Sequence, residues 1–194
     1  PRARRQPPDP AVLLPGGAGH QSGGVPPRDA VERRVTGILC THPPDFDTES
    51  LSVILVRDTE VALMNWTRYI LHKLGTQVIC VSGTSGKSLV VEAISRVLST
   101  QYSVHHSHDR GIGRLSLPLT LAHLTPEHQF VVLELDIPRP GVMAEIVKVV
   151  QPDVVVVPSI GRTHTDTFGT VEEIVAENRL LLDRLLPTSL AVLN

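Results

Sequence analysis

Residues 77–88 read QVICVSGTSGKS. Gln77–Val81 is β-branched and apolar, which predicts a buried strand. Ser82–Ser88 is a Gly-rich loop. From Lys87 to Ser99, Leu89, Val90, Ala93, Ile94, Val97 and Leu98 recur at helical spacing, with Glu92, Ser95 and Arg96 opposite. Strand, glycine loop, helix is the context a phosphate-binding loop requires. Gly83 and Gly86 permit a tight backbone that approaches phosphate closely, and the loop N–H groups and helix N-terminus face the anion. Gly83, Thr84, Ser85, Gly86, Lys87 and Ser88 are therefore the candidate nucleotide-binding residues. Lys87 supplies a point charge for the outer phosphates, and the Ser88 hydroxyl suits Mg²⁺. The first glycine of the common eight-residue pattern would fall at Val81, so the loop is a shortened variant, GTSGKS. A glycine turn with a solvated lysine is the plainer alternative; the flanking strand and helix favour nucleotide.

Outward from this loop, apolar strands alternate with amphipathic helices. Strands are predicted at Gly37–Cys40, Leu51–Val56, Phe130–Leu135, Asp153–Val157 and Leu190–Leu193. Helices are predicted from Asp58 or Thr59 to about Lys73, over Gly141–Val150 and over Val171–Leu186. His42–Glu49 reads as a Pro/Asp loop. A short strand at Ala11–Leu14 and a short helix at Asp29–Arg34 complete the reading. The alternation predicts an α/β fold, a parallel sheet with helices on both faces. His105, His106, His108 and Asp109 read as a solvated loop, since no ligand-spaced Cys or His accompanies them. Trp66 and Tyr69 read as helix packing residues, and Glu145 with Lys148 as a surface pair.

Composition bounds the rest. The chain has 194 residues, with 41% apolar and only 3% aromatic, so Val, Leu and Ile must build the core. Residues 1–27 hold seven of the sixteen prolines and five of the fourteen glycines, and residues 1–10 read as disordered. A net charge of −2 gives no broad basic footprint for nucleic acid. No apolar run is long enough for a membrane span. The basic start runs into Pro and Gly and lacks the apolar stretch of a signal peptide. Cys40 and Cys80 read as buried free thiols, which fits a reducing, cytoplasmic compartment. The missing initiator Met points to a fragment or a trimmed chain.

The loop resembles that of the Mur ligases, the enzymes that build the peptidoglycan stem peptide. Leu117–Leu121 (LPLTL) resembles the family's LPLTLL segment, and Val131–Leu135 (VVLEL) its strand bearing a metal-binding glutamate. Gln151–Val156 (QPDVVV) resembles a further strand. Ile160–His164 (IGRTH) with Phe168-Gly169-Thr170 resembles NIGxAHLxxFGS, and Ala191–Asn194 (AVLN) the family's avlN. Val56–Thr59 with Ala62-Leu63 resembles a linker in the branch that adds D-alanyl-D-alanine to the UDP-N-acetylmuramoyl tripeptide. The resemblance implies a remnant of the N-terminal substrate-binding domain at 11–56 and a partial central ATP-binding domain at 57–194, incomplete at its C-terminal end. It implies an ATP-dependent ligase: ATP phosphorylates a UDP-muramoyl-peptide carboxylate, and a dipeptide amine attacks the acyl phosphate. Lys87, Glu134 and His164 would carry the chemistry. Ser88 and Glu134 would hold one Mg²⁺, and His164 a second. A monomer is expected.

The sequence also departs from the family. Its modified, metal-binding lysine corresponds to Asn178, flanked by Glu177 and Arg179, and Glu177 should point about 100° around the helix. The acceptor-side GNxNN stretch corresponds to Asp109–Gly113. Ser159 replaces the asparagine of NIG, and Asp136 a glycine near the metal. These changes spare the ATP loop and fall on the second-metal and acceptor elements. Two readings therefore stand: a divergent ligase, and a Mur-like ATP-binding module without ligase activity. An unrelated phosphate-loop kinase has no need for the His and Phe-Gly of SIGRTHTDTFG.

Overall fold

The computed structural model describes residues 37–48, 51–107, 116–162 and 165–194. The expected strand at Ala11–Leu14, the helix at Asp29–Arg34, the Asp109–Gly113 stretch, His108 and His164 lie outside the described residues. The chain divides into two compact units between Leu63 and Met64.

In the first unit, β1 (Gly37–Cys40) and β2 (Ser52–Leu55) pair in parallel, with Gly37 opposite Ser52. Ile38 and Cys40 are buried against Phe46, Leu51 and Val53. Helix α1 (Thr59–Leu74) carries the boundary between the units. Asp58 is its cap: the Val61 N–H donates to Asp58 Oδ1 at 2.9 Å, satisfying one of the orphan donors of the first turn.

The second unit is built on a five-stranded parallel sheet. Its strands are β3 (Gln77–Val81), β4 (Val104–His106), β5 (Phe130–Glu134), β6 (Val154–Val157) and β7 (Leu190–Leu193), in spatial order β4-β5-β3-β6-β7. Among the described residues, the helices that accompany these strands are the later part of α1, then α2 (Lys87–Leu98), α3 (Ser116–Leu121), α4 (Val142–Ile146), α5 (Thr165–Phe168) and α6 (Val171–Leu182). The chain leaves β3 towards β4 but leaves its neighbour β6 towards β7. The loops at the carboxyl ends of β3 and β6 therefore part, and such a switch point is where open α/β sheets bind ligands.

The pleat explains why the central strands read as continuous apolar runs. Val78 and Cys80 of β3 face one layer, with Val131, Leu133, Val155, Leu121, Met143, Ile174 and Leu181. Ile79 and Val81 face the other, with Val132 and Val91 and, partly buried, Ile94 and Leu98 of α2. Each face needs apolar residues because each is covered. Asp153 fixes the start of β3: its Oδ2 accepts from the Val78 N–H at 2.8 Å, and its own N–H donates to the Val78 carbonyl at 2.9 Å.

Several expectations need correction. His105 and His106 lie on β4, an edge strand paired with β5, and not in a loop. His105 Nε2 lies 2.7 Å from the Thr120 carbonyl oxygen. Leu117–Leu121, quoted only as a motif, forms most of α3, where Pro118 stands near the helix start that tolerates it. The helices expected at 141–150 and 171–186 end at Ile146 and Leu182. Trp66 packs against the core, but Tyr69 is exposed, with Lys73 Nζ 5.4 Å from its ring centre.

Candidate functional site

The phosphate-loop residues lie at the carboxyl end of β3 and run directly into α2. Gly86 caps α2 at φ 79°, with no side-chain hydrogen bond to the first turn and no acidic residue in it. Helix α6 is finished differently: Thr170 Oγ1 accepts from the Glu173 N–H at 3.2 Å, and Glu172 and Glu173 occupy the first turn. The first turn of α2 thus carries no cap or acidic residue of its own against the positive end of the dipole, which favours an anionic ligand there.

The loop is tied to the neighbouring strand's exit. The Thr84 N–H donates to the Ser159 carbonyl at 2.9 Å, and the Gly161 N–H donates to Thr84 Oγ1 at 2.9 Å. Ser159 Oγ donates to the Ser85 carbonyl at 3.1 Å. Ser159 therefore holds the loop with both its carbonyl and its hydroxyl. Sequence reading had marked Ser159 only as a departure, because contacts between two strand exits need the strand order to be known.

Glu134 arrives at the same place from the end of β5, which pairs Val81 opposite Glu134. Ser88 Oγ donates to Glu134 Oε1 at 3.1 Å. The Glu134 N–H donates to Ser107 Oγ at 3.1 Å, which brings in a residue that sequence reading missed because β4 is short and polar. Lys87 Nζ donates to the Gly83 carbonyl at 3.0 Å and stands 3.4 Å from Asp136 Oδ1. Thr84, Ser85, Gly86, Lys87, Ser88, Glu134 and Asp136 line one cleft of about 450 Å³, together with Ser107 and Ser116. That volume is in the range of small-molecule sites.

A hydroxyl and a carboxylate 3.1 Å apart form a hard oxygen pair. Such a pair fits Mg²⁺, which keeps waters and phosphate oxygens as its other ligands. Among the described residues no group of three or more His, Cys, Asp or Glu gathers as a metal site, so water and phosphate oxygens would supply the rest of the shell around such a pair.

Asn178 and Glu177, the residues at and beside the position expected of the family's lysine, are both held by protein hydrogen bonds. Asn178 is 2% exposed. Its Oδ1 accepts from Ser82 Oγ at 2.8 Å, and its Nδ2 donates to the Ile174 carbonyl at 2.8 Å. Glu177 turns to the start of α4, where its carboxylate accepts from the Gly141 N–H at 2.6 Å and the Met143 N–H at 3.2 Å.

Known proteins resemble this chain in sequence and fold. The family model for the Mur ligase middle domain matches residues 81–194, from the end of β3 to the last residue. The chain belongs to the Mur ligase family. Among relatives of the Mur ligase chain, the UDP-N-acetylmuramoyl-tripeptide–D-alanyl-D-alanine ligase of Bacillus subtilis is 34% identical over 151 residues, covering 78% of this chain and 33% of the relative. The ligase of the same name from Escherichia coli is 25% identical over 157 residues, covering 81% and 34%. In structure, MurF from Acinetobacter baumannii superposes with a TM-score of 0.78 at 24% identity, covering 94% of this chain and 39% of that one. MurF ligase from Thermotoga maritima in complex with ADP gives 0.76 at 23% identity, covering 94% and 42%. The chain thus spans about a third of the length of the curated relatives it matches. The α/β parallel sheet of the Mur ligases is the fold read from the sequence. No helix among the described residues is long and apolar enough to cross a membrane.

Proposed function

We propose that the chain is part of an ATP-dependent amide ligase of the Mur type acting in peptidoglycan synthesis in the cytoplasm. It would add D-alanyl-D-alanine or a similar amine to a UDP-muramoyl-peptide carboxylate. The observation that carries this reading is the convergence of Lys87, Ser88 and Glu134 in one cleft at the carboxyl edge of the sheet, with Ser88 Oγ 3.1 Å from Glu134 Oε1. Residues 57–194 would be the partial central domain and 11–56 the remnant of the substrate-binding domain, in a monomer.

The residues' work follows from phosphoryl-transfer chemistry, where positioning and charge neutralisation dominate. The loop's backbone N–H groups from Ser85 onward and the start of α2 would cradle the phosphates, the Thr84 N–H being held by the Ser159 carbonyl. Lys87 would neutralise charge on the outer phosphates as the terminal phosphoryl moves to the substrate carboxylate. Ser88 and Glu134 would hold Mg²⁺, which when bound offsets phosphate charge. His164 would hold a second ion beside the acyl phosphate, as the family resemblance implies. An amine then displaces phosphate from the acyl carbon, forming the amide bond and releasing inorganic phosphate.

Calorimetric titration of the chain with Mg-ATP tests the nucleotide step. Lys87→Ala should weaken binding about 10- to 100-fold, the loss of a hydrogen bond to a charged group. Equal binding by both chains would overturn the role of the loop, and no binding by a folded chain would overturn the reading for these residues.

A second reading, a Mur-like ATP-binding module without ligation, is favoured by Asn178. Its buried amide joins Ser82 and Ile174 at the position of the family's metal-binding lysine. Asn178→Lys in a full-length parent separates the two. A large gain in amide formation is expected of a ligase damaged at this residue, and unchanged, negligible formation supports the second reading.

A further inference from the structure

The ammonium group of the phosphate loop already has an anion beside it. Lys87 Nζ lies 3.4 Å from Asp136 Oδ1, with the lysine side chain 11% exposed and the aspartate 50%. Both line the loop's cleft, and Glu134 adds a second carboxylate there. The cleft therefore opposes two carboxylates to one lysine before any ligand enters. A polyphosphate brings several more negative charges to the same ammonium. The Glu134 carboxylate accepts from Ser88 Oγ and its backbone N–H donates to Ser107 Oγ, whereas the Asp136 carboxylate stands beside Lys87 Nζ. Half exposed, Asp136 can turn to water at small cost when its partner is taken.

We propose that Asp136 is a built-in counter-ion of Lys87 that competes with the outer phosphates, so that this chain discriminates against metal-free nucleotide. Asp136 is a positioning residue: it acts through Lys87 and not on the reacting atoms. In the metal-free state, nucleotide must displace the carboxylate and then remain beside it. A divalent cation brought with the nucleotide to Ser88 and Glu134 supplies positive charge that offsets this repulsion. The ratio of nucleotide affinity with and without Mg²⁺ is thus raised by Asp136. The inference rests on the nucleotide reading given above.

The test is calorimetric titration with ATP, in EDTA and again in excess Mg²⁺, at low salt. The chain, Asp136→Asn, Asp136→Gly and Lys87→Ala are compared, each checked for unchanged ligand-free melting. Removing the Asp136 charge should tighten metal-free ATP about five- to tenfold, the strength of a partly exposed ion pair and its repulsion together. With Mg²⁺ the gain should fall below about twofold, and 0.5 M KCl should erase most of the gain in EDTA. A purely structural role would leave the ratio of the two affinities unchanged. The proposal is overturned if Asp136→Asn binds metal-free ATP no more tightly than the parent chain. It is also overturned if Asp136→Asn weakens Mg-ATP binding, which would make Asp136 a metal ligand. In both cases Lys87→Ala still weakens binding and the nucleotide reading survives. If no folded chain binds ATP, or Lys87→Ala binds as well as the parent, the nucleotide reading itself fails and this inference with it.

Discussion

Gly83→Ala is expected to destabilise the chain by about 2–6 kcal/mol, the sum of a strained backbone and a forced contact. Gly83 sits at φ +112°, outside the small left-handed well open to other residues. A Cβ placed there would meet the Ser159 carbonyl oxygen at 2.5 Å. The obstacle is backbone, so no rotamer change relieves it. Moving Ser159 would also break its hydrogen bond from the Thr84 N–H, made at 2.9 Å. The tie between the phosphate loop and the exit of β6 would go with it. Gly86→Ala is the control. Its φ is +79°, and the nearest atom, Pro158 Cβ, is 3.9 Å away. That change should cost only the left-handed backbone penalty, about 1–2 kcal/mol. Urea melts of the three chains decide the matter. A Gly83→Ala midpoint equal to that of Gly86→Ala would refute the steric argument.

The contrast between these glycines marks what the sequence could and could not convey. Both were legible as phosphate-loop glycines, because strand, loop and helix follow one another within a dozen residues of chain. That only one of them lies against Ser159 depends on β6 being the neighbour of β3, a pairing between segments far apart in sequence. The same holds elsewhere. Gln77–Val81 and Leu190–Leu193 match their strands residue for residue, since short apolar runs bounded by polar residues leave little choice. Val104–His106 did not read as a strand, because an edge strand of three residues with two histidines lacks both length and apolar pattern. Missing that strand concealed Ser107, whose hydroxyl accepts from the Glu134 N–H at 3.1 Å. Asn178 could be singled out against the family lysine, but its buried bond to Ser82 Oγ could not be foreseen from spacing. Periodicity does place Glu177 on another side of α6, and the carboxylate there serves the start of α4. Local periodicity thus gave the elements, while the side-chain partners came from strand order.

Cys80 should be labelled by a thiol reagent at least about a thousandfold more slowly than a free cysteine, because the chain must open first and folded domains hold 5–15 kcal/mol against that. Its side chain is fully buried on β3, the central strand, opposite Leu133 of β5 and Val155 of β6. The thiolate is the reactive form. Burial pushes the Cys80 thiol well above the ordinary thiol range, and the negative charge of Asp153 pushes it further the same way. The raised value has a consequence for stability. Below about pH 8.5 the thiol is protonated in both states and contributes its full share. Above that, the unfolded chain ionises Cys80 while the folded chain keeps it neutral. Stability should then fall by up to about 1.4 kcal/mol per pH unit from this group. Urea melts at pH 8, 9 and 10, beside Cys80→Ala, isolate the term: the substitution lowers stability overall but should flatten the alkaline decline. Peptide mapping of the labelled chain keeps Cys80 separate from Cys40, which is also buried. Rapid labelling of Cys80 in the absence of urea would mean that β3 is not held in a closed sheet. The phosphate loop at its end would then lack the rigid support that nucleotide binding requires. Equal alkaline slopes for the two chains would show that the thiol ionises as freely in the folded state as in the unfolded one, contrary to its burial between β5 and β6.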